Sequence, residues 1–305
     1  MVKSSKLAGT SAAAAALLAL IITGCATTSV REEAPPIPSV GPRLRVAVVE
    51  FENKTTYGSR LGTAAADILV TELGKTDRFI LIERTKLAKL FEEQKLGMTG
   101  AVDADTAARM GRVLGAAAIV TGAVTQFGVQ TKGTDMLITE SKQQVADAVV
   151  DVRVIDVETS QILYAESGEG RAETKTGTFL GLGSSASYNE AMEGNALRAA
   201  ITSLAANLTV RLSKIPWTCR VADLDGETIY LDAGLRSGLA IGTELDVIRL
   251  GAEIKSPATG VVIGRRESRI GKAKIVQHFG EDGSVAMMTE GSRPGRGDLM
   301  RMPGP

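Results

Sequence analysis

Leu44-Arg-Val-Ala-Val-Val-Glu-Phe-Glu52 is a short run rich in valine, closed by the polar residues Asn53 to Thr56. It reads as a buried strand followed by a turn. The period then changes: Leu61, Ala65, Ile68, Leu69 and Leu73 recur at helical spacing, and Gly74 stands where the pattern stops. Phe79 to Glu83 is a second strand, and Leu87, Leu90, Phe91 and Leu96 trace a further amphipathic helix. Asp103 or Asp105 can cap a third helix that ends near Gly115, and Ala116 to Val124 returns to strand. This order predicts a layered α/β (α+β) domain.

Downstream, Thr125 to Tyr188 shows no helical period and is too long for an ordinary connection, so strands or disorder are expected there. Ala146, Ala148, Val150, Val152 and Val154 alternate with Asp147, Val149, Asp151, Arg153 and Ile155, which gives one apolar and one partly charged face. Thr125 to Val154 and Leu163 to Tyr188 are each long enough for two strands and a turn. In the second segment Ala165, Ser167, Glu169, Arg171, Glu173 and Lys175 form a wet row. The opposite row, Tyr164, Glu166, Gly168, Gly170, Ala172 and Thr174, is small and polar, a poor match for lipid. A helix carried by Ala191, Ala196, Ile201, Leu204, Leu208 and Leu212 follows, and Pro216 stops it. The α/β domain is thus expected over residues 44–215. From Trp217 onward, short β-rich runs punctuated by glycine predict a small all-β C-terminal domain, a barrel or sandwich, over residues 216–305.

Upstream, Lys3 and Lys6 precede an apolar stretch from Leu7 to Ile22, and small residues follow. That is the pattern of an export signal over residues 1–25, too short for a spanning helix of ~20 residues. Ile22-Thr-Gly-Cys25 resembles the bacterial lipobox. The resemblance implies diacylglycerol on the Cys25 sulfur and an acyl chain on the new amino terminus, with no other cofactor expected. Several acyl chains together give stable anchoring. In the signals this resembles, an aspartate after the cysteine marks retention at the inner membrane; Ala26 stands there, so the resemblance implies the periplasmic side of the outer membrane. Residues 26–43, with Pro35, Pro36, Pro38 and Pro42, suit a disordered tether.

Other classes of function find little support. Lysine plus arginine equals aspartate plus glutamate, 35 of each, so no net field draws in nucleic acid. His278 is the single histidine, which leaves no ordinary triad or histidine metal cluster, and an enzyme is not expected. Gly181-Leu-Gly183 lacks the strand-to-helix setting of a dinucleotide loop, and Arg296-Gly-Asp298 beside Pro294 reads as a turn. Cys219 reads as a small buried apolar residue, and the Leu87, Leu90 and Phe91 stripe as core.

The Leu44 to Asn53 strand, Phe79-Ile-Leu-Ile-Glu-Arg-Thr-Lys-Leu-Ala-Lys-Leu90, Val120-Thr-Gly-Ala-Val124 and Val152-Arg-Val-Ile-Asp-Val-Glu-Thr159 together resemble the curli-secretion lipoprotein (CsgG-like) family over residues 44–213. Ala240-Ile-Gly-Thr-Glu-Leu-Asp-Val247, Thr259-Gly260 and Arg269-Ile-Gly-Lys-Ala-Lys-Ile275 resemble a FlgT-like C-terminal domain. The first resemblance implies a homo-oligomeric ring in which each copy gives two long β-hairpins, here around residues 125–188, to one outer-membrane barrel that exports the subunits of an extracellular fibre. Its constricting loop carries aromatic and amide side chains. Here the matching loop, Asn53 to Leu61, is short and offers Tyr57 as its one aromatic, the candidate constriction residue. Two functions therefore stand: a secretion channel for fibre or appendage subunits, and a non-pore lipoprotein scaffold for envelope or appendage assembly. For the anchor common to both, Cys25→Ser should abolish incorporation of radiolabelled fatty acid and move the protein to the soluble fraction; unchanged sedimentation with membranes would contradict it.

Overall fold

The computed structural model describes residues 41–82, 103–135, 139–179, 190–260 and 262–304. The signal and the lipobox cysteine, nearly all of the tether, the helix expected at Leu87 to Leu96 and the Gly181-Leu-Gly183 stretch lie outside these residues. The chain begins with β1 (Leu44–Val48), broken at Val49 to Phe51 and resumed as β2 (Glu52–Asn53). There follow α1 (Leu61–Gly74), β3 (Phe79–Ile82) and α2 (Ala104–Leu114). Asp103 caps α2, its side chain accepting a hydrogen bond from the Thr106 N–H, which holds its carboxyl below the usual carboxylate range. Gly115 closes α2 in the left-handed conformation at φ 63°.

Three strands of 18 residues come next: β4 (Ala118–Asp135), β5 (Thr139–Asp156) and β6 (Ile162–Phe179). The sheet order is β3-β1-β4-β5-β6, with β1 parallel to β3 and β4, and β4, β5 and β6 mutually antiparallel. The strand expected at Ala116 to Val124 thus runs on for eleven more residues, to Asp135. The two long hairpins share β5. A separate pair of strands in Leu163 to Tyr188 is not what forms, since Ile162–Phe179 is one continuous strand along β5. A register shift between Val124 and Gln126 moves β4 by one residue, so that Ala118, Val120 and Val124 and then Phe127 and Val129 all reach the same core.

That core lies between the sheet and two helices, α1 and α3 (Glu190–Leu212). It holds the β5 row Ala146 to Val154, with Leu69 and Leu73 of α1 and Met192, Ala196, Leu197, Ile201, Leu204 and Leu208 of α3. Ala191, expected on the apolar stripe, is exposed. On the opposite face α2 covers Ala47, Val49, Ile119 and Ile155 with Ala107 and Met110.

The small row of β6 is explained by α3. A Cβ at Gly168 would lie 2.2 Å from the Ala200 carbonyl oxygen, and one at Gly170 would lie 2.1 Å from the Ala196 carbonyl oxygen. These residues are small because a helix backbone rests on them.

Beyond Pro216 the chain forms a closed six-stranded barrel in the order β10-β11-β8-β7-β12-β9. Its strands are β7 (Thr218–Asp225), β8 (Thr228–Leu231), β9 (Glu244–Lys255), β10 (Val262–Phe279), β11 (Gly283–Gly291) and β12 (Leu299–Arg301). Its core contains Val221, Ile229, Leu231, Leu245, Val247, Ile275 and Met300.

The glycine rows give a direct test of how α3 sits. Gly170→Val should lower the stability by about 2–3 kcal/mol through overpacking against the helix backbone. Gly128→Ala, where an added Cβ meets nothing within 4 Å, should change it by no more than ~0.5 kcal/mol. Urea unfolding followed by circular dichroism reads both, and equal midpoints would show that α3 does not rest on β6.

Candidate functional site

The hairpin sheet has two unlike faces. On the α3 side, the Tyr164 hydroxyl donates to Glu166 Oε2 (2.6 Å), and Asn207 Nδ2 of the helix donates to Glu166 Oε1 (2.9 Å). The Arg211 guanidinium lies 5.0 Å from the centroid of the Tyr164 ring. Burial and the neighbouring carboxylate push the Tyr164 phenol above its ordinary value, with the Arg211 charge opposing. Glu166, which the sequence pattern placed awkwardly toward lipid, is instead held by two polar partners beneath the helix. The other face is solvent-exposed and charged: Arg171 pairs with Asp147 at 3.8 Å, Ser167 donates to Asp151, and Gln143 Nε2 donates to Glu173 Oε1 at 2.7 Å.

The edges of this sheet differ along its length. β2 pairs with β4 only as far as Val124, and the Lys54 N–H donates to the Val124 carbonyl (2.9 Å). Beyond it, among the described residues, β4 has β5 as its one neighbour and β6 has β5 alone. Each hairpin flank therefore presents a row of backbone donors and acceptors with no strand beside it.

Tyr57 sits beside the middle of β4. Its carbonyl accepts from Asn53 Nδ2 at 3.0 Å, and its ring is tilted against the Phe127 ring with centroids 4.9 Å apart. The loop that carries it is folded back by the Asn53 side chain, which also accepts from the Thr55 N–H. The structure brings Tyr57 together with an aromatic of β4, a partner the sequence did not propose.

At the starts of β1 and β4 a cleft of about 330 Å³ lies between the sheet and the barrel. Arg45, Arg112, Trp217, Arg220, Asp232 and Glu267 line it. Arg45 Nη2 donates to the Asp232 carbonyl (2.6 Å), and the Arg220 guanidinium pairs with Glu158. Trp217 packs against both cores and donates from Nε1 to the Arg43 carbonyl (3.1 Å). The Arg43 N–H in turn donates to the Ser237 carbonyl (2.8 Å). Sequence reading missed this cleft. The one signal was Arg45 interrupting the apolar run between Leu44 and Val46, where a strand buried on both sides has no place for an unpaired cation.

Three motifs resolve into structural parts. In Arg296-Gly-Asp298 the aspartate is buried, accepting from the Gly295 N–H (2.8 Å) and Arg249 Nε (3.3 Å), while Arg296 pairs with Asp223 at 2.6 Å. The tripeptide is a turn whose carboxylate is already occupied. Cys219 is buried in the barrel wall beside the cleft, where burial first and the Asp232 charge second push its thiol well above the ordinary range, against a smaller opposing effect of Arg45. His278 lies on the barrel, with a buried Nδ1 that has no hydrogen-bond partner. Among the described residues no three His, Cys, Asp or Glu side chains converge as metal ligands, and no helix is long and apolar enough to cross a membrane.

Residues 29–226 match the family model described as curli production assembly/transport component CsgG. A Neisseria meningitidis serogroup B protein named as a lipoprotein is 31% identical over 219 residues, covering 66% of this chain and 94% of its own length. Among solved structures, lipoprotein GNA1162 from Neisseria meningitidis is 16% identical with a TM-score of 0.36, covering 53% of this chain and 98% of its own. A PelC dodecamer from Paraburkholderia phytofirmans is 16% identical with a TM-score of 0.31, covering 58% of this chain and 94% of its own. At those scores nothing of their assembly transfers to this chain.

The buried thiol reports on the cleft. In the Cys25→Ser chain, Cys219 is the sole cysteine. It should resist a maleimide at neutral pH and react only as urea unfolds the barrel, because a raised thiol pKa leaves little thiolate and burial blocks access. Asp232→Ala, which also removes the acceptor of the Arg220 N–H (2.7 Å), should speed labelling in native buffer. Rapid labelling of the unaltered barrel would show that the cleft wall opens freely.

Proposed function

Since the chain belongs to the CsgG family of curli production assembly/transport components, we propose that it is an envelope lipoprotein anchored through Cys25 to the periplasmic side of the outer membrane. There it forms a homo-oligomer that supports export or assembly of an extracellular fibre or appendage. It acts as a scaffold whose hairpins stay in the periplasm. The observation that carries this choice is the seating of α3 on Gly168 and Gly170. One face of the hairpin sheet is filled by protein and the other bears Asp147, Asp151, Arg153, Glu169 and Arg171. A charge facing lipid at mid-depth costs ~2–4 kcal/mol for a basic residue. With a helix on one side and such a row on the other, the stretches Val145 to Arg153 and Ala165 to Arg171, among the described side chains, have no apolar surface to offer hydrocarbon.

The free flanks of β4 and β6 supply the means of assembly. They lie on opposite sides of the same three-stranded unit, so that β6 of one copy meets β4 of the next head to tail, the arrangement that closes into a ring when the rotation permits. Tyr57, held against Phe127 beside β4, then lies near the joint between copies. It is placed to steady that joint, and a narrowing of a lumen would need a larger loop. No chemical step is assigned, in keeping with a family that works by assembly.

The discriminating measurement is made on the lipidated protein extracted in mild detergent. Light scattering should give a particle several times the mass of one chain, and planar bilayers should stay silent after its addition. Large ohmic steps that change with Tyr57→Ala would instead establish a channel and overturn the scaffold, and a monomer in detergent would remove the assembly.

A further inference from the structure

We propose that the cleft between the sheet and the barrel binds the phosphate group of a small soluble phosphate monoester, held by Arg45 of β1 and Arg112 of α2. Six arginines line this cleft, and four of them are matched to a carboxylate. Arg43 pairs with Asp77 at 2.7 Å, Arg220 with Glu158, Arg265 with Glu253 at 2.9 Å, and Arg301 donates to both carboxylate oxygens of Glu267 at 2.9 Å. The other two are not. Arg45 Nη2 donates to the Asp232 carbonyl, while the Asp232 carboxylate stands 4.0 Å from Nη1, beyond hydrogen-bond reach. Arg112 Nη1 donates to the Val157 carbonyl, and among the described residues no carboxylate lies within 4.0 Å of its guanidinium. A guanidinium has five N–H donors, so most of those on Arg45 and Arg112 are left to the cleft.

The surroundings leave these donors no other use. Asp156 accepts from the Glu158 N–H and from the Thr159 N–H and hydroxyl, and Asp232 Oδ1 accepts from the Arg220 N–H. Glu253, whose carboxyl is held below the usual range first by the Arg265 hydrogen bond, feels the Arg112 charge least. The end of α2 is closed by its own backbone, with the Gly115 N–H on the Arg112 carbonyl and the Ala116 N–H on the Gly111 carbonyl, so neither arginine is needed as a cap. Arg45 Nη1 lies 3.4 Å from where a Cβ of Gly115 would stand, which brings it to the end of the helix that carries Arg112. Arginines and carboxylates about the cleft nearly balance, so free donors, and not net charge, mark the site. Two guanidinium forks call for more oxygens than the two of a carboxylate, and a phosphate monoester brings three, with close to two charges. Ile215, Trp217 and Leu250 give the cleft an apolar wall for the organic part, and about 330 Å³ is room for a small molecule. Neither the anchor at Cys25 nor the assembly of copies is needed for this binding.

The test titrates phenyl phosphate into the full chain carrying Cys25→Ser by isothermal calorimetry, beside benzoate, which presents a carboxylate on the same ring. Phenyl phosphate should give a saturable heat, and benzoate should bind several times more weakly. Arg112→Gln, at an exposed position, should weaken phenyl phosphate roughly tenfold or more with circular dichroism unaltered. Asp232→Asn keeps an acceptor for the Arg220 N–H and removes the negative charge beside Arg45, so it should tighten binding a few-fold. Arg171→Gln, on the hairpin sheet, should leave the affinity unchanged and so exclude a general charge effect. Absence of heat, an affinity that Arg112→Gln leaves unchanged, or benzoate bound as tightly as phenyl phosphate overturns the site. Sedimentation with vesicles of phosphatidic acid, without heat from phenyl phosphate, would put the phosphate on a lipid headgroup and overturn the soluble ligand.

Discussion

The rest of the structure depends on a helix backbone lying directly on two strand glycines. Gly168 and Gly170 bring α3 so close to β6 that a methyl group at either would overlap a helix carbonyl. That approach lets Leu197, Ile201, Leu204 and Leu208 reach across to the β5 row Ala146 to Val154. Without it, β4, β5 and β6 would be a ribbon with a long exposed apolar stripe, a form that invites aggregation or lipid. With it, 18-residue strands become an extension of an ordinary α/β core. The polar link from Tyr164 through Glu166 to Asn207 then sets the position of the helix along the strand, since each buried polar group must meet its partner.

A different kind of constraint joins the barrel to this core. Arg45 with Asp232 and Arg220 with Glu158 are partly exposed pairs, and each contributes at most ~1 kcal/mol. Trp217 is the stronger element, because its ring is shared by the two cores while its N–H is fixed on the Arg43 carbonyl. Apolar contact therefore contributes more to holding the two parts together than these partly exposed charge pairs do.

How much of this could be read from residues alone follows from what periodicity encodes. The β5 row was legible because one face is apolar at every second residue while the other is partly charged, and a cap at Asp103 or Asp105 and the stop at Gly115 were legible because their chemistry is local. The small row of β6 was visible as small but not as covered: size at a position records how near a neighbour comes, and not whether that neighbour is a helix, a lipid or water. The division of 163–188 into two strands failed for a related reason. A strand whose core face is glycine and hydrogen-bonded glutamate has no hydrophobic period to show its continuity, and pairing with β5 over its whole length decides the matter. The shift at Thr125 and the arginine-lined cleft arise from contacts between distant segments, and no single window of sequence contains them. The FlgT-like likeness pointed to a small β domain, and closure of the barrel by β9 against β10 is likewise a long-range event.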